Sequence, residues 1–545
     1  MKSAAVFSAL LGGAQCLKVM MNVGISTLSH ARPLLEMGEI LRKRDHDVIY
    51  VSHDFAESFN KDYKFPFISL GNSSYEQQTP RSLFSKLYDL EETNPAKAAA
   101  SFFEQVVPLA YEETYERINK VLYEEKPDVI LCDWMAAACR DAAQMNAIPL
   151  ITGFQSLDAA QVGAPFITDR NGYGSITTKP LSFFQRFEDK VLHTIGVFFY
   201  NLPLTRALNI ARANYGVPPA ALPFGDFSTS LGLSSSFIGV EPAAPLPPHI
   251  RLVGPVKSTT NPQLTSQLKF FLDAHPRTLY IGFGSDIVLS PSDIDNLVVS
   301  TLLSIKHGFL DGVIWGLGQT THDDFPNKFN VNGTEVTRDQ FFENPHTQLL
   351  TWAPQAAILE HKNTRLFVSH AGLESSIEAI LSGTPILSIP FFGDQPRNAR
   401  KLEEAGVSLY FARATTSSCT LAKGIKMMLA DIQGHYHSNV KRMQRIAQLS
   451  SRRAVSGADA IEDYASIARI CRPHHPYVYG EIPCELRHLT LASRNMNYFT
   501  ANCFDVYAVA ALVCIALLLT FVYAMHGVAT ATSDKFKPEE SKKTE

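Results

Sequence analysis

Short apolar runs alternate with segments of helical periodicity from residue 17 onwards. Residues 17–24 and 47–52 are predicted strands, and residues 32–44 between them are a predicted helix. Residues 127–133 (PDVILCD) predict a strand that ends in a carboxylate, and an Ala-rich helical segment then leads to a strand at 149–152. Alternation of this kind predicts parallel strands joined by helical crossovers.

The same alternation begins again after a proline-rich stretch, in which residues 242–255 hold five prolines. Such a stretch favours neither a helix nor a central strand, so a linker is predicted at 242–262. It divides an N-terminal domain, 17–241, from a C-terminal domain, 263–480. The expected fold is α/β, with two doubly wound Rossmann-like domains facing a cleft and ligands at the carboxyl ends of both sheets. The predicted strands of the second domain are 278–285, 312–318, 347–352, 366–370, 385–390 and 407–411.

Both ends of the chain carry membrane-related signals. Residues 1–16 place Lys2 before an apolar run and then small residues, the order of a secretory signal peptide; an ordinary first strand after a frayed end is the alternative. Residues 506–525 are uncharged and apolar, which matches a hydrocarbon core of roughly 30 Å. A buried core helix is disfavoured there because only a polar tail follows. We therefore expect a juxtamembrane segment at 481–505, a transmembrane helix at 506–525 and a cytosolic tail at 526–545.

This topology predicts a single-pass type I protein of the endoplasmic reticulum membrane with lumenal catalytic domains. The tail is rich in lysine, and Lys542 with Lys543 resembles a dilysine retrieval signal. Asn72 and Asn332 begin glycosylation sequons, which are used only in this topology.

Size, charge and cysteine content narrow the class further. A chain of 545 residues is too long for one hydrophobic core. Its 49 basic and 53 acidic residues give a net charge of -4, so nucleic acid is not the expected partner. Eight cysteines are spread along the chain, which is too few for a scaffold built on disulfides.

The most informative stretch runs from Trp352 to Gln395 and contains WAPQAAILEH and FVSHAGLESSIEAILSGTPILSIPFFGDQ. A strand ends at His370 and a helix begins just after Gly372, so backbone N–H groups and the helix dipole predict an anion site. Glu378 lies in the second turn of that helix, where a carboxylate accepts from the two vicinal hydroxyls of a ribose. Trp352 offers a flat face to a base. A nucleoside diphosphate fits this arrangement.

This stretch resembles the signature of UDP-dependent glycosyltransferases, the family that includes plant secondary-metabolite glycosyltransferases and animal UDP-glucuronosyltransferases. The positions at the family's spacing are Trp352, Pro354, Gln355, His361, His370, Gly372, Ser375, Glu378, Gly383, Pro385, Pro390, Asp394, Gln395 and Asn398.

The resemblance implies a GT-B fold, a UDP-sugar co-substrate, no separate cofactor and an inverting reaction. It also implies a role for each donor-binding residue. Trp352 would stack on uracil, Gln355 and Glu378 would hold the ribose, His370 and Ser375 would bind the pyrophosphate together with Ser285, and Asp394 and Gln395 would bind the sugar hydroxyls. Gly372, which has no side chain, lets a phosphate approach the backbone.

One position departs from the family pattern. The family usually carries Asn just before Ser375, whereas this chain has Glu374. A carboxylate in the first helical turn suits the helix dipole, but it repels a pyrophosphate unless its side chain turns outward.

His30 and Asp133 are the predicted catalytic pair. By the resemblance, a histidine after the first strand deprotonates the acceptor hydroxyl, and the aspartate that ends PDVILCD orients it. An alcohol does not ionise usefully near neutrality, so a neutral imidazole must take its proton during attack on the anomeric carbon. The alternative is that both residues are ordinary helix caps.

Competing chemistries find less support in the sequence. Asp293 and Asp295 match the D-x-D pair of metal-dependent sugar transferases, but Ser290 and Pro291 predict that both carboxylates lie in a capped first helical turn, so no metal is expected. No G-x-G-x-x-G follows the first strand, and no G-x-S-x-G elbow appears. The rival hypothesis is a membrane-anchored UDP-sugar-binding subunit of the same fold without catalysis.

The acceptor is the least determined partner. A lipophilic hydroxyl compound is expected because the anchor keeps the cleft near a bilayer, and the aromatic-rich segment 183–200 is a candidate contact. Asp394 and Gln395 do not separate glucose from glucuronic acid. The sequence also leaves open whether the chain forms a homo-oligomer.

Overall fold

The computed structural model describes residues 16–24, 27–73, 95–157, 168–169, 176–177, 181–260, 262–284, 287–318 and 325–535. The chain divides into a compact unit that ends at His488 and a second unit, Leu489–Glu545. Several predictions fall outside the described residues, namely the leader except for Cys16, the end of the first sequon at Ser74, the phosphate contact Ser285, and the tail lysines Lys537, Lys542 and Lys543.

The first sheet has seven strands, all parallel, in the order β3-β2-β1-β4-β5-β8-β9. Its central strands are buried on both faces, as is typical of parallel sheets covered by helices. The strand order reverses between β1 and β4, which places the ends of these two strands side by side. The strands are β1 Lys18–Asn22, β2 Asp47–Ser52, β3 Phe67–Ser69, β4 Val129–Asp133, β5 Leu150–Phe154, β8 Leu231–Ser234 and β9 Ile250–Leu252; β6 Thr168–Asp169 and β7 Ile176–Thr177 pair separately.

The second sheet has six parallel strands in the order β14-β11-β10-β15-β16-β17. It repeats the doubly wound pattern of the first sheet, with its reversal between β10 and β15. We call the parts built on the two sheets the N-terminal and C-terminal lobes. The strands are β10 Thr278–Gly282, β11 Gly312–Gly316, β14 Thr347–Leu350, β15 Thr364–Ser369, β16 Ile386–Ser388 and β17 Ser408–Tyr410; β12 Lys328–Val331 and β13 Thr334–Thr337 form a hairpin.

Helices connect the parallel strands and cover both sheets. The α-helices are α1 Leu28–Arg42, α2 Pro95–Glu125, α3 Ala137–Met145, α4 Phe183–Phe187, α5 Thr194–Asn214, α6 Ser266–Ala274, α7 Pro291–Lys306, α8 Arg338–Phe342, α9 Gln355–Glu360, α10 Leu373–Ser382, α11 Gln395–Glu404, α12 Ser418–Ala430, α13 His435–Ser450, α14 Ala454–Cys471, α15 Tyr498–Ala501 and α16 Phe504–Lys535. A π-helix spans Glu188–His193, and short 3-10 helices span Asp54–Asn60, Phe227–Thr229, Arg413–Thr415, Ser451–Arg453, Cys484–Leu489 and Ala492–Asn495.

Separate apolar cores lie on the two faces of the second sheet. Leu279 and Tyr280 are neighbours on β10 and belong to different clusters, because successive side chains of a strand point to opposite faces. Leu279 packs in the cluster of Trp315 and α7, whereas Tyr280 packs in that of Phe367 and α10. Burial on both faces fixes the register of the strands whose ends form the cleft.

Part of the proline-rich stretch belongs to the first sheet. β9, Ile250–Leu252, lies inside the region predicted as linker and pairs with β8. The first sheet therefore continues beyond residue 241. β9 is at the edge of the sheet, the strand position in which neighbouring prolines are tolerated.

The end of the first unit returns to the N-terminal lobe. Glu462 of α14 accepts hydrogen bonds from Arg44 and His46, both at 2.8 Å, and Arg469 pairs with Asp128 at 2.8 Å. Two disulfides are present, Cys132–Cys139 and Cys471–Cys484. Helical periodicity alone does not indicate on which lobe a helix packs. The sequence prediction therefore places α14 within the C-terminal domain, 263–480, without its contacts to the N-terminal lobe.

The second unit contains α16. Within the part of the chain that the structure describes, the segment Phe504–His526 of this helix is the one long and apolar enough to cross a membrane, on length and composition. It includes the residues 506–525 predicted as a span.

Candidate active site

The predicted catalytic pair lies at the strand reversal of the first sheet. Asp133 is the last residue of β4, and His30 lies in the first turn of α1, which begins at Leu28, earlier than the sequence predicts. His30 Nδ1 is 2.8 Å from Asp133 Oδ2. A carboxylate accepts, so Nδ1 carries the hydrogen and Nε2 is the basic nitrogen of the ring. The pair therefore has the geometry that orients a histidine as a general base.

Asp133 is fully buried and is held by further donors. The backbone N–H of Met135 donates to Oδ1 at 3.0 Å, and Gln155 Nε2 donates to Oδ2 at 3.0 Å. Gln155 is fixed in turn by the indole N–H of Trp134 at 2.9 Å. Sequence reasoning missed Gln155, although its place one residue beyond β5, at the same edge of the sheet, was a usable signal.

The helix-cap alternative for this pair is wrong. α3 begins at Ala137 with Ala136 as its N-cap residue, and α1 has Thr27 at that position. Asp133 instead closes a turn onto Met135 and binds His30.

The C-terminal lobe presents a tight turn between β15 and α10. β15 ends at Ser369, Ala371 has a positive φ of 62°, and Gly372 is the N-cap residue of α10. A Cβ on Gly372 would lie 2.4 Å from His370 Nε2, so only glycine fits beside this imidazole. The turn leaves the first N–H groups of α10 without partners inside the helix, an arrangement that is typical of anion sites.

His370 is held as a neutral ring. Burial lowers the pKa of His370 to about 4, although Asp394 and a hydrogen bond to the backbone of Gly282 favour the charged form. A neutral imidazole can donate to a phosphate oxygen through one ring nitrogen without carrying a charge of its own.

The lowered pKa of His370 predicts a pH dependence of stability. In the unfolded chain a histidine titrates at about 6.5, so the unfolded state takes up this proton first and the protein loses stability as the pH falls from about 6.5 toward 4. His370→Gln removes this titration. We expect the wild type to lose more unfolding free energy than His370→Gln between about pH 7 and pH 5, as measured by urea denaturation. Equal losses in the two proteins would contradict the assignment of a buried neutral ring.

The predicted ribose and phosphate residues form one hydrogen-bonded group. Gln355 Nε2 lies 2.7 Å from Glu378 Oε2 and 3.1 Å from Ser375 Oγ, and Tyr280 donates to Gln355 Oε1 at 3.3 Å. Gln355 begins α9, while Ser375 and Glu378 lie on α10. The structure thus brings together three of the predicted donor-binding residues, and it adds Tyr280.

The other predicted donor-binding residues that the structure describes lie at strand and helix ends of the same lobe. Asp394 is the N-cap residue of α11, and Asn398 Nδ2 donates to its Oδ2 at 2.7 Å. Gln395 accepts from the backbone N–H groups of Phe391 and Phe392 at 2.9 and 3.2 Å, so its carbonyl oxygen is already engaged. Trp352, beyond the end of β14, is 66% exposed and presents its indole to solvent.

Glu374, the departure from the family pattern, faces the N-terminal lobe. Its Oε2 lies 3.8 Å from Arg32 Nη1, and the same Nη1 donates to Glu378 Oε1 at 3.1 Å. Burial raises the pKa of Glu374 to about 7; Arg32 opposes this shift, and Glu378 and Glu36 add to it. Sequence reasoning missed Arg32, which lies two residues after His30 and brings α1 into contact with α10.

Asp293, the first residue of the acidic pair that resembles a metal motif, caps a helix. Ser290 Oγ accepts from the backbone N–H of Asp293, and the Asp293 carboxylate accepts from the N–H of Ser290 at 2.9 Å. Arg413 also contacts Asp293, at 3.2 Å. The predicted capping role of Asp293 is confirmed, whereas Asp295, also expected in the first turn, lies beyond it.

Two facing doubly wound lobes define the class of GT-B glycosyltransferases that use a nucleotide-sugar donor. One lobe has a helix N-terminus suited to an anion, and the other has an oriented histidine. The family model described as "UDP-glucoronosyl and UDP-glucosyl transferase" matches residues 26–450. The chain belongs to this family, and it is a glycosyltransferase.

Relatives match along most of their length. A UDP-glycosyltransferase of Talaromyces amestolkiae is 27% identical over 94% of this chain and 97% of its own. UDP-glycosyltransferase 1 of Phaeomoniella chlamydospora is 30% identical over 75% of this chain and 83% of its own.

Solved structures share the fold at low sequence identity. A UDP-glucose:anthocyanidin 3-O-glucosyltransferase in complex with UDP superposes with a TM-score of 0.57 at 15% identity and covers 83% of this chain and 99% of its own. The glycotransferase of kitacinnamycin gives a TM-score of 0.57 at 16% identity, with 82% and 99% covered. These similarities identify the fold as GT-B.

Proposed function

We propose that the protein transfers a hexose, glucose or glucuronic acid, from a UDP-sugar to a hydroxyl of a lipophilic small molecule, with inversion at the anomeric carbon and without a metal. The observation that carries this proposal is the His30–Asp133 pair, 2.8 Å apart, on a helix that contacts the donor helix α10 through Arg32 and Glu378. In this proposal the base and the anion site share one cleft.

The reaction is a single displacement. His30 Nε2 takes the proton of the acceptor hydroxyl as the oxygen forms a bond to the anomeric carbon, and the bond from that carbon to the β-phosphate oxygen breaks. The bonding electron pair leaves with UDP, so the configuration inverts. Asp133 stabilises the imidazolium that forms, because it is buried and already bound to Nδ1.

The donor is held by the C-terminal lobe in this proposal. Trp352 stacks on uracil. The Glu378 carboxylate accepts hydrogen bonds from the ribose hydroxyls, and the Gln355 amide donates to them. Ser375, neutral His370 and the first N–H groups of α10 beyond Gly372 stabilise the charge that develops on the leaving diphosphate. Further residues complete the donor site: Ser285 adds a phosphate contact, and Asp394 and Gln395 bind the sugar.

In this proposal a membrane anchor keeps the cleft near a bilayer, where a lipophilic acceptor is found. α16 serves as the anchor, and the sugar-transferring lobes lie in the lumen of the endoplasmic reticulum. The two disulfides favour an oxidising compartment, and Asn332, a sequon residue, is exposed at the turn between β12 and β13. In microsomes, protease digestion that spares the lobes would support this orientation, whereas their digestion would contradict it.

The ribose role of Glu378 tests donor binding. Glu378→Ala should weaken UDP binding by about 10- to 100-fold, because a charged acceptor of two hydrogen bonds is lost. Titration calorimetry measures this, with Glu360→Ala as control, since Glu360 pairs with Lys257 on the surface. An unchanged UDP affinity would overturn the ribose assignment. Turnover assays with UDP-glucose and UDP-glucuronic acid against a lipid extract, with mass detection, then identify the sugar and the acceptor.

A further inference from the structure

Arg32 is the cation between two carboxylates of the opposite lobe. Glu374 and Glu378 are four residues apart on α10, so their side chains emerge on the same face and repel each other unless a cation lies between them. Arg32 Nη1 is 3.1 Å from one carboxylate and 3.8 Å from the other. The three side chains are only 17–21% exposed, so solvent screens their charges weakly.

The Glu378 carboxylate cannot keep its hydrogen bond from Arg32 and also bind both ribose hydroxyls of the donor. Its Oε1 accepts from Arg32, and its Oε2 accepts from Gln355. Two ribose hydroxyls that bind the same carboxylate compete with Arg32 for it. A guanidinium has several donors in a planar fork, and a shift of about 1 Å brings Arg32 from 3.8 Å to hydrogen-bonding distance of Glu374.

The other carboxylate near Arg32 is already occupied. Glu36 lies one turn further along α1, where it accepts from the hydroxyl of Tyr63 at 2.7 Å and from the backbone N–H of Thr259 at 2.8 Å. Around Glu374, α1 contributes Arg32, Glu36 and His30, and α10 contributes Glu378. Glu374 is therefore the carboxylate that Arg32 can take up when the donor occupies Glu378.

We propose, on the basis of the function above, that Arg32 and Glu374 are positioning residues for sugar transfer. Their ion pair replaces the contact between Arg32 and Glu378 when the ribose binds. It holds the first turn of α1, and with it His30, against the bound donor. An asparagine, the usual residue of the family at this position, carries no charge and could not form such an ion pair with Arg32.

Steady-state kinetics of the full chain in detergent test this role, with Glu374→Gln, Arg32→Gln and the double variant. Misplacement of a base by a fraction of an ångström slows the chemical step, so we expect Glu374→Gln to lower kcat about tenfold. The KM for the UDP-sugar should stay within about twofold, because Glu374 does not bind the donor. The double variant should be no slower than Arg32→Gln, because the two residues act as one pair.

A conservative variant and a surface variant complete the experiment. Glu374→Asp retains the charge and should recover part of the lost kcat, while Glu335→Gln, which removes an exposed ion pair with Lys328, should behave as the wild type. If Glu374→Gln does not fold, Arg32→Lys against Arg32→Gln gives the same comparison, with the higher kcat expected for the lysine.

Three results would overturn the inference: wild-type kcat in Glu374→Gln, a raised donor KM with unchanged kcat, or losses of the two single variants that multiply in the double variant. Failure of the proposed function looks different, because the wild-type chain would then transfer no sugar from any UDP-sugar.

Discussion

Replacing His30 by alanine should lower kcat for sugar transfer by about 10²- to 10⁴-fold, the usual contribution of a positioned general base. The acceptor hydroxyl would then have to lose its proton to water during the attack. Asp133 keeps its bonds from Met135 and Gln155 in this variant, so the buried carboxylate stays paired and the fold should persist. Initial rates at saturating donor and acceptor measure the effect.

UDP binding separates this effect from damage to the donor site. His30 contacts Asp133 of its own lobe, so the UDP affinity of His30→Ala should stay within about twofold of the wild type. His475→Ala, at an exposed histidine, is the matched control. A His30→Ala variant with near-normal turnover would remove the base assignment.

Replacing Lys401 by methionine should lower the free energy of unfolding by about 3–5 kcal/mol, the cost of leaving a buried partner charge unpaired. Lys401 on α11 binds the Glu241 carboxylate, and both side chains are almost completely buried. Lys401 Nζ also donates to the carbonyl of Leu157 at 3.4 Å, so the pair joins α11 to the loop after β5. Burial lowers the pKa of Lys401, while Glu241 opposes this shift. Urea denaturation in detergent measures the loss.

A double variant tests whether the unpaired charge causes this loss. Lys401→Met combined with Glu241→Gln leaves no charge at the pair. The new amide oxygen can still accept from the backbone N–H of Leu157, as Glu241 does in the wild type at 3.3 Å. Most of the lost stability should return. A single Lys401→Met variant within about 1 kcal/mol of the wild type would contradict the structural role of the pair.

The doubly wound architecture and the donor lobe were largely predictable from the sequence. Strands such as β4 and β15 are short apolar runs bounded by turn residues, and the motif between Trp352 and Gln395 places its residues on successive strand and helix ends. In such segments the local pattern and the fold agree, so the pattern is informative. The predicted strand bounds differ from the observed ones by a few residues, because the chain leaves the sheet before the apolar run ends.

Salt bridges between distant segments were not predictable. Arg32 with Glu378, Lys401 with Glu241, and Arg44 with Glu462 join residues separated by 160 to 418 positions. Each residue alone looks like an ordinary charged residue of a helix or a linker. Hydrophobic periodicity indicates which face of a helix is buried, but it carries no information about which charged side chain lies opposite.

The unusual Glu374 illustrates the same limit. In sequence it is a negative charge near an expected pyrophosphate, and this favours a binding subunit without catalysis. In the structure the carboxylate points to Arg32 of the other lobe. The charge that counts against donor binding therefore faces a cation of the other lobe that no local pattern connects to it.

The most direct test of the central claim, that donor and base share one cleft, is a crystal structure of the protein with bound UDP. The account predicts the ribose hydroxyls at hydrogen-bonding distance from the Glu378 carboxylate, the diphosphate at the N-terminus of α10 beside Gly372, and the terminal phosphate directed toward His30. UDP bound outside this cleft, or with its diphosphate pointing away from His30, would contradict it.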